Sequence, residues 1–185
     1  MPAFFLLVMI AEEKGAYLMA KKTRYTVRAL LFNPAGDFLM FKYRNDPNIH
    51  PVGGKPLESD YWGTIGGGID DGEDIMDALR REIFEETGHT DIRIGPQVWH
   101  RKVDLVFYGD ILHVDEKYFV AHTTAAEIST AGHTQIERKF VSDMRWWKPA
   151  DAAAMRDAVF PVILPQHIAD IAAGRYPQDI VQINV

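Results

Sequence analysis

Three glutamates, Glu82, Glu85 and Glu86, stand at i, i+3 and i+4. In a helix that spacing puts the carboxylates on one side, within an arc of roughly 100°. Like charges so placed repel by roughly 0.2–0.5 kcal/mol per pair when exposed, and by more when partly buried. A hard divalent cation with oxygen ligands removes that conflict, and Mg²⁺ or Mn²⁺ is the natural choice. The alternative is a solvated acidic face paired with Arg80 and Arg81, since Arg81 stands four residues from both Asp77 and Glu85. On helix geometry alone both readings stay open.

The acids need an element that holds them. From about Asp74 the pattern is helical: Ile75, Leu79 and Ile83 recur every fourth residue, with Met76 beside them. Gly88 stands where a C-terminal cap belongs. Ahead of the helix come Gly66, Gly67 and Gly68, and turn residues run on to Gly72. Glycine lets a backbone approach a ligand closely and take positive φ. The Gly66 carbonyl can therefore turn toward the same cation. Backbone donors at Gly67 and Gly68 can meet phosphate oxygens.

This arrangement resembles the Nudix box. Gly67 is followed after five residues by Glu73, and after seven more by Arg81-Glu82; Ile83, Glu85, Glu86 and Gly88 complete it. Every polar and glycine position matches. The final position, aliphatic in the family, is His89, a departure that touches packing more than chemistry. A match at so many fixed spacings is far more specific than a lone glycine motif.

The resemblance implies an α/β fold, a Nudix-like α/β/α sandwich with a mixed sheet between helices. It implies a divalent-metal-dependent hydrolase that cleaves the pyrophosphate bond of a nucleoside diphosphate linked to another moiety. Glu85 and Glu86 are then metal ligands with the Gly66 carbonyl, and Glu82 is a ligand or the general base. Glu73 holds Arg81, and Arg81 orients the carboxylates. One more carboxylate is implied from downstream. Glu137 resembles it best, because Met144 to Pro149 after it looks like the strand that follows that acid in the family; Glu127 is the other candidate. A non-catalytic nucleotide-sensing domain on the same fold is the rival, although such proteins can lose box carboxylates and all are present here.

The 185 residues suffice for one domain with a sizeable core. The net charge of −6 argues against nucleic-acid polymers and anionic membranes as partners, so the partner expected is a small nucleotide-type diphosphate. The chain has no cysteine, which excludes disulfides and thiolate chemistry and fits a cytoplasmic protein. A homodimer stays open. Residues 1–18 read as an extension of uncertain role: an anchor, an added edge strand, or a stretch upstream of a start at Met19. The apolar run from Pro2 to Ile10 is too short to span a membrane. Residues 19–185 read as a single domain.

Along that domain, Thr23–Phe32 and Phe38–Tyr43 read as a hairpin around Asn33-Pro-Ala-Gly-Asp37. In the family the corresponding hairpin borders the substrate site, which makes Arg28 and Lys42 or Arg44 candidate phosphate contacts. Residues 45–60 read as a loop that shapes specificity. Strands are expected at 91–98, broken by Gly95-Pro96, at 102–108 and at 111–122, then a loop at 123–134 and a strand at 144–149. Helices are expected at 150–159 and 164–173, and from Tyr176 to Val185 a tail, read as a strand that docks or pairs with a partner. Trp146 and Trp147 should face opposite sides of their strand. The seven histidines show no zinc spacing. No motif names the nucleotide.

Overall fold

The computed structural model describes residues 23–183. The expectations for residues 1–18 and for a start at Met19 lie outside the described residues. Strand β1 (Thr23–Phe32) and strand β2 (Phe38–Tyr43) form where alternation placed them. Asn33 closes the turn between them, its side-chain oxygen accepting from the N–H groups of Ala35 and Asp37 at 2.9 and 3.0 Å. The hairpin is zipped only at Phe32 and Phe38. Beyond that pair the strands part. After β3 (Ile49–Pro51) and β4 (Tyr61–Gly63), β5 (Ile65–Gly68) takes the place beside β1, antiparallel, with Gly66 opposite Arg28. The glycine segment thus enters the sheet before it turns into the helix.

Helix α1 (Ile75–Thr87) starts on Asp74, whose carboxylate accepts from the Met76 N–H, and stops at Gly88 with φ 76°. Strand β6 (Ile92–Phe107) runs unbroken where two strands were expected. Register shifts at Ile94/Gln97 and Gln97/Trp99 absorb Gly95 and Pro96. Strand β7 (Asp110–Thr123), helix α2 (Gln135–Phe140) and strand β8 (Val141–Trp147) follow. The alanine-rich stretch expected as a helix over 150–159 is instead a short 3₁₀ turn, Pro149–Ala154, and strand β9 (Ala158–Phe160). Parallel pairing of β9 with β4 outweighs local helix propensity there. Helix α3 (Leu164–Ala172) forms as expected, and the tail becomes β10 (Val181–Ile183), paired parallel with β6 of the same chain at Trp99–Arg101.

Among the described residues ten strands make one mixed sheet, in the order β10-β6-β7-β1-β2-β4-β9, with β3 on β6, β5 on β1 and β8 on β2. The alternation along β1 divides the core. Val27, Ala29 and Leu31 pack with Leu79 and Ile83 of α1. Leu30 and Phe32 pack with Leu164, Ile168 and Ile171 of α3. Each of these apart from Ala29 contributes roughly 1.5–3 kcal/mol of hydrophobic stabilisation. The result is the sheet between helices that the resemblance implied. Trp146 and Trp147 go to these two cores respectively, and Trp62 is buried with Trp147. No helix among the described residues is long and apolar enough to cross a membrane.

Candidate active site

The three box glutamates meet different surroundings. Glu82 and Glu86 are buried, while the Glu85 side chain is 39% exposed. Arg81 is the hub between them. Its Nε and Nη2 grip both oxygens of Glu73, each at 2.8 Å. Its Nη1 donates to Glu82 at 2.8 Å and to Glu85 at 3.3 Å, and Nη2 also donates to the Gly68 carbonyl at 2.9 Å. The turn carrying Glu73 is thereby bent back across α1. The hydrogen bonds from Arg81 hold the Glu73 carboxyl down at about 2.

Glu86 binds the loop to the helix. One oxygen accepts the Gly66 N–H at 2.6 Å; the other, Oε1, is buried and has no hydrogen-bond partner. Burial, followed by the nearby charge of Glu82, lifts the Glu86 pKa well above the usual carboxylate value; Glu137 adds to the lift and the Gly66 N–H opposes it. Burial raises Glu82 as well. A hard cation relieves this kind of conflict, and the oxygen-only donor set fits one. Among the described residues no three His, Asp or Glu side chains already close a metal cage. The acids form an open shell in which Arg81 holds two of them.

Gly66 has φ 118°, and a Cβ there would lie 2.2 Å from the Val27 carbonyl oxygen, so a side chain is excluded. Its own carbonyl accepts from Arg28 Nη1 at 2.8 Å, which leaves one lone pair for any other contact. Gly67 and Gly68 lie in β5 opposite Val27 and Thr26, so their backbone belongs to the sheet edge rather than to an open loop.

The loop over 124–134 finishes α1. The Phe84 carbonyl takes the Gly88 N–H, the Thr87 carbonyl takes the Ser129 N–H, and the Glu86 carbonyl takes His133 Nε2 at 2.8 Å. Gly132 sits so close that a Cβ would come within 2.5 Å of the Glu85 carbonyl oxygen. This docking delivers Glu137, buried in the first turn of α2. There Glu137 and Thr134 form a reciprocal capping box: the Thr134 N–H donates to the Glu137 carboxylate, and the Glu137 N–H to the Thr134 hydroxyl. Glu127 is exposed on the same loop and acts on His89 instead. Of the two downstream candidates, Glu137 is the one whose charge acts on Glu86. His89 is buried near the Trp146 ring, and burial lowers its pKa, so a neutral imidazole fills the aliphatic position.

The basic residues expected near phosphate lie in three different settings. Arg44 is exposed and donates to the Lys139 carbonyl at 3.0 Å, stapling the end of β2 to α2. Lys42 pairs with Asp157 at 2.8 Å. Arg28 is no surface cation: it is buried, with Glu116 at 3.1 Å and the carbonyls of Thr64 and Gly66 at 3.3 and 2.8 Å. Strand alternation shows which side a residue takes, not how deep it lies. The same alternation holds Arg24, which sequence reasoning passed over. Its guanidinium packs against Gly68, and its Nε and Nη2 carry no hydrogen bond. Burial, with repulsion from Arg28, lowers its pKa to about 10, so it stays charged at neutral pH.

A cavity of about 390 Å³ lies beneath loop 45–60, which lines it with Asn45, Ile49, His50 and Leu57. Arg28, Arg101 and Glu116 line it too. They come from β1, β6 and β7, where Thr26 and Arg101 flank Glu116 in register. Neither Arg101 nor Glu116 was singled out from sequence, because their meeting depends on strand register between distant segments.

The NUDIX domain model matches residues 22–165. The nucleoside triphosphatase NudI of Escherichia fergusonii is 31% identical over 130 residues, spanning 69% of this chain and 84% of that protein. NudI of Escherichia coli O17:K52:H18 is 29% identical over 128 residues, spanning 68% and 83%. Among solved structures, the MutT protein of Methanosarcina mazei superposes with a TM-score of 0.56 at 19% identity, over 84% of this chain and 97% of the other. A C. elegans Ap4A hydrolase superposes with a TM-score of 0.54 at 20% identity, over 82% and 98%. These two likenesses speak to the fold. With the family match reaching from the start of β1 into α3 and containing every acid described above, the chain belongs to the Nudix family, as a hydrolase of phosphorus anhydrides.

Proposed function

We propose that the enzyme uses a divalent cation to cleave the pyrophosphate bond of a nucleoside diphosphate linked to another group, with nucleoside triphosphates foremost. The observation that carries the reading is the buried Glu86 oxygen without a partner, coupled electrostatically to Glu82 and Glu137. The NudI relatives support the triphosphate as substrate class. The acidic net charge supports a small substrate over a polyanion, and the lack of cysteine supports the cytoplasm as the place of action.

Glu82, Glu85, Glu86 and Glu137 would hold Mg²⁺ or Mn²⁺, with the remaining lone pair of the Gly66 carbonyl. When bound, such an ion offsets phosphate charge and lowers the pKa of a bound water. The chain's own residues do the rest. The Gly66 N–H aims Glu86, and the Glu73–Arg81 pair fixes the rotamers of Glu82 and Glu85. Where Glu82 serves as the base in place of a ligand, its pKa, raised by burial, suits it to take the proton of the attacking water. Arg24, charged and without a hydrogen bond at Nε and Nη2, supplies a cation for phosphate oxygens.

The test is phosphate release from a nucleotide panel with Mg²⁺, Mn²⁺ or chelator. Native protein should turn over only with metal. Glu85→Gln and Glu86→Gln should each lower kcat by about a hundredfold or more while the melting transition stays cooperative. Undiminished turnover in both variants refutes the metal assignments. Tight nucleotide binding with no release under any metal would point to a sensor instead.

A further inference from the structure

The floor of the cavity holds three charges. Glu116 meets Arg28 Nε at 3.1 Å through one oxygen; through the other it meets Arg101 Nε at 3.1 Å and accepts the Tyr118 hydroxyl at 2.9 Å. Burial alone would raise the Glu116 pKa, but Arg101 and Arg28 outweigh it and keep the group ionised. Two guanidinium groups against one carboxylate leave a positive charge over, away from bulk water.

Arg28 is held by Glu116 through Nε and by the carbonyls of Thr64 and Gly66 through Nη1. Among the described residues the ion pair of Arg101 is with Glu116 alone, and its Nε makes no hydrogen bond of good geometry. A guanidinium is donor-only, so a cavity ending on it calls for an acceptor. The walls above, with Ile49, Leu57, Leu105 and Val114, are apolar. An apolar slot of this size suits a flat heterocycle.

We propose that this cavity seats the nucleobase and that Arg101 donates to a carbonyl oxygen on it, so that guanine, cytosine, uracil and thymine nucleotides are preferred over adenine. The inference rests on the nucleotide reading above and says which part of the nucleotide lies where. Adenine has no carbonyl: its ring nitrogens accept, but in the pose that sets the guanine O6 against Arg101 adenine presents an amino donor instead. Glu116 positions Arg101; Arg101 touches the base.

Calorimetric binding of GMP, CMP, UMP and AMP to the metal-free full chain tests it. AMP should bind about tenfold to a hundredfold more weakly than the other three. Arg101→Met should level the four ligands and leave inorganic pyrophosphate binding unchanged. Should that variant fail to fold, Val162→Trp decides: it is a half-exposed residue on the cavity lining, and the larger ring should weaken all four ligands at unchanged melting temperature. AMP bound as tightly as the others overturns the proposal. So does an Arg101→Met variant that loses pyrophosphate and every nucleotide alike, and so does undisturbed binding in Val162→Trp. Keto-selective binding without metal-dependent hydrolysis would sink the catalytic reading and leave this one standing. Metal-dependent hydrolysis of all triphosphates with equal kcat/KM would do the reverse.

Discussion

Glu86 shows how much one carboxylate is asked to do. It is buried, it holds the Gly66 N–H, and its second oxygen faces no donor. Its folded pKa is raised, so the stability it contributes is full below the unfolded carboxylate value and is lost as pH rises through the folded value. Glu86→Gln should therefore stabilise metal-free protein at pH 7.5, by about 1–3 kcal/mol, and make little difference near pH 4. Melting curves at both values check this. Added Mg²⁺ should raise the native melting temperature and leave the variant's unchanged. The box residues were legible because a single helix and its leading turn set all their spacings. Arg24, Arg101 and Glu116 were not, because their partners come from other strands. Arg28 was singled out as a candidate phosphate contact, but its depth was not legible: pairing with Glu116 lets a guanidinium be buried in the sheet.

At the scale of elements, the segment over 124–134 is the C-terminal cap of α1. His133 satisfies the Glu86 carbonyl, and the chain then turns through Thr134 into α2 and brings in Glu137. His133→Ala should cost about 1–2 kcal/mol of stability. It should also lower kcat more than it changes KM, because Glu137 loses its placement while the cavity proposed for the base is untouched. Urea titration and steady-state kinetics separate the two effects. Where elements were misjudged, tertiary pairing had overridden local preference. Residues 158–160 join β4 despite the alanines before them, and β6 passes over Gly95-Pro96 by slipping register. The β1–β2 hairpin was found from its turn, yet its strands part to admit β5, which no local pattern announces.

For the whole molecule, the sandwich was legible from strands on either side of one amphipathic helix, and the tail was legible as a docking segment but not as to which strand receives it. Strand β10 closes the sheet beside β6, with Ile183 buried and in register with Arg101. Ending the chain after Arg175 should lower the melting temperature by several degrees, since it strips Ile183 from the core and frees a sheet edge. Nucleotide selection should fall with it, while the box geometry, held by β1, β5 and loop 124–134, persists. Thermal melts and the four-nucleotide comparison check both parts. One side chain ties these regions together. Arg28 reaches Glu116 with one nitrogen and the Gly66 carbonyl with another, at 3.1 and 2.8 Å. A guest that shifts Glu116 should pull, through that guanidinium, on the peptide that steers Glu86. On the proposed seating, fit in the slot should be transmitted as alignment at the cutting edge, and a poorly matched guest should be handled slowly even when it is fully loaded.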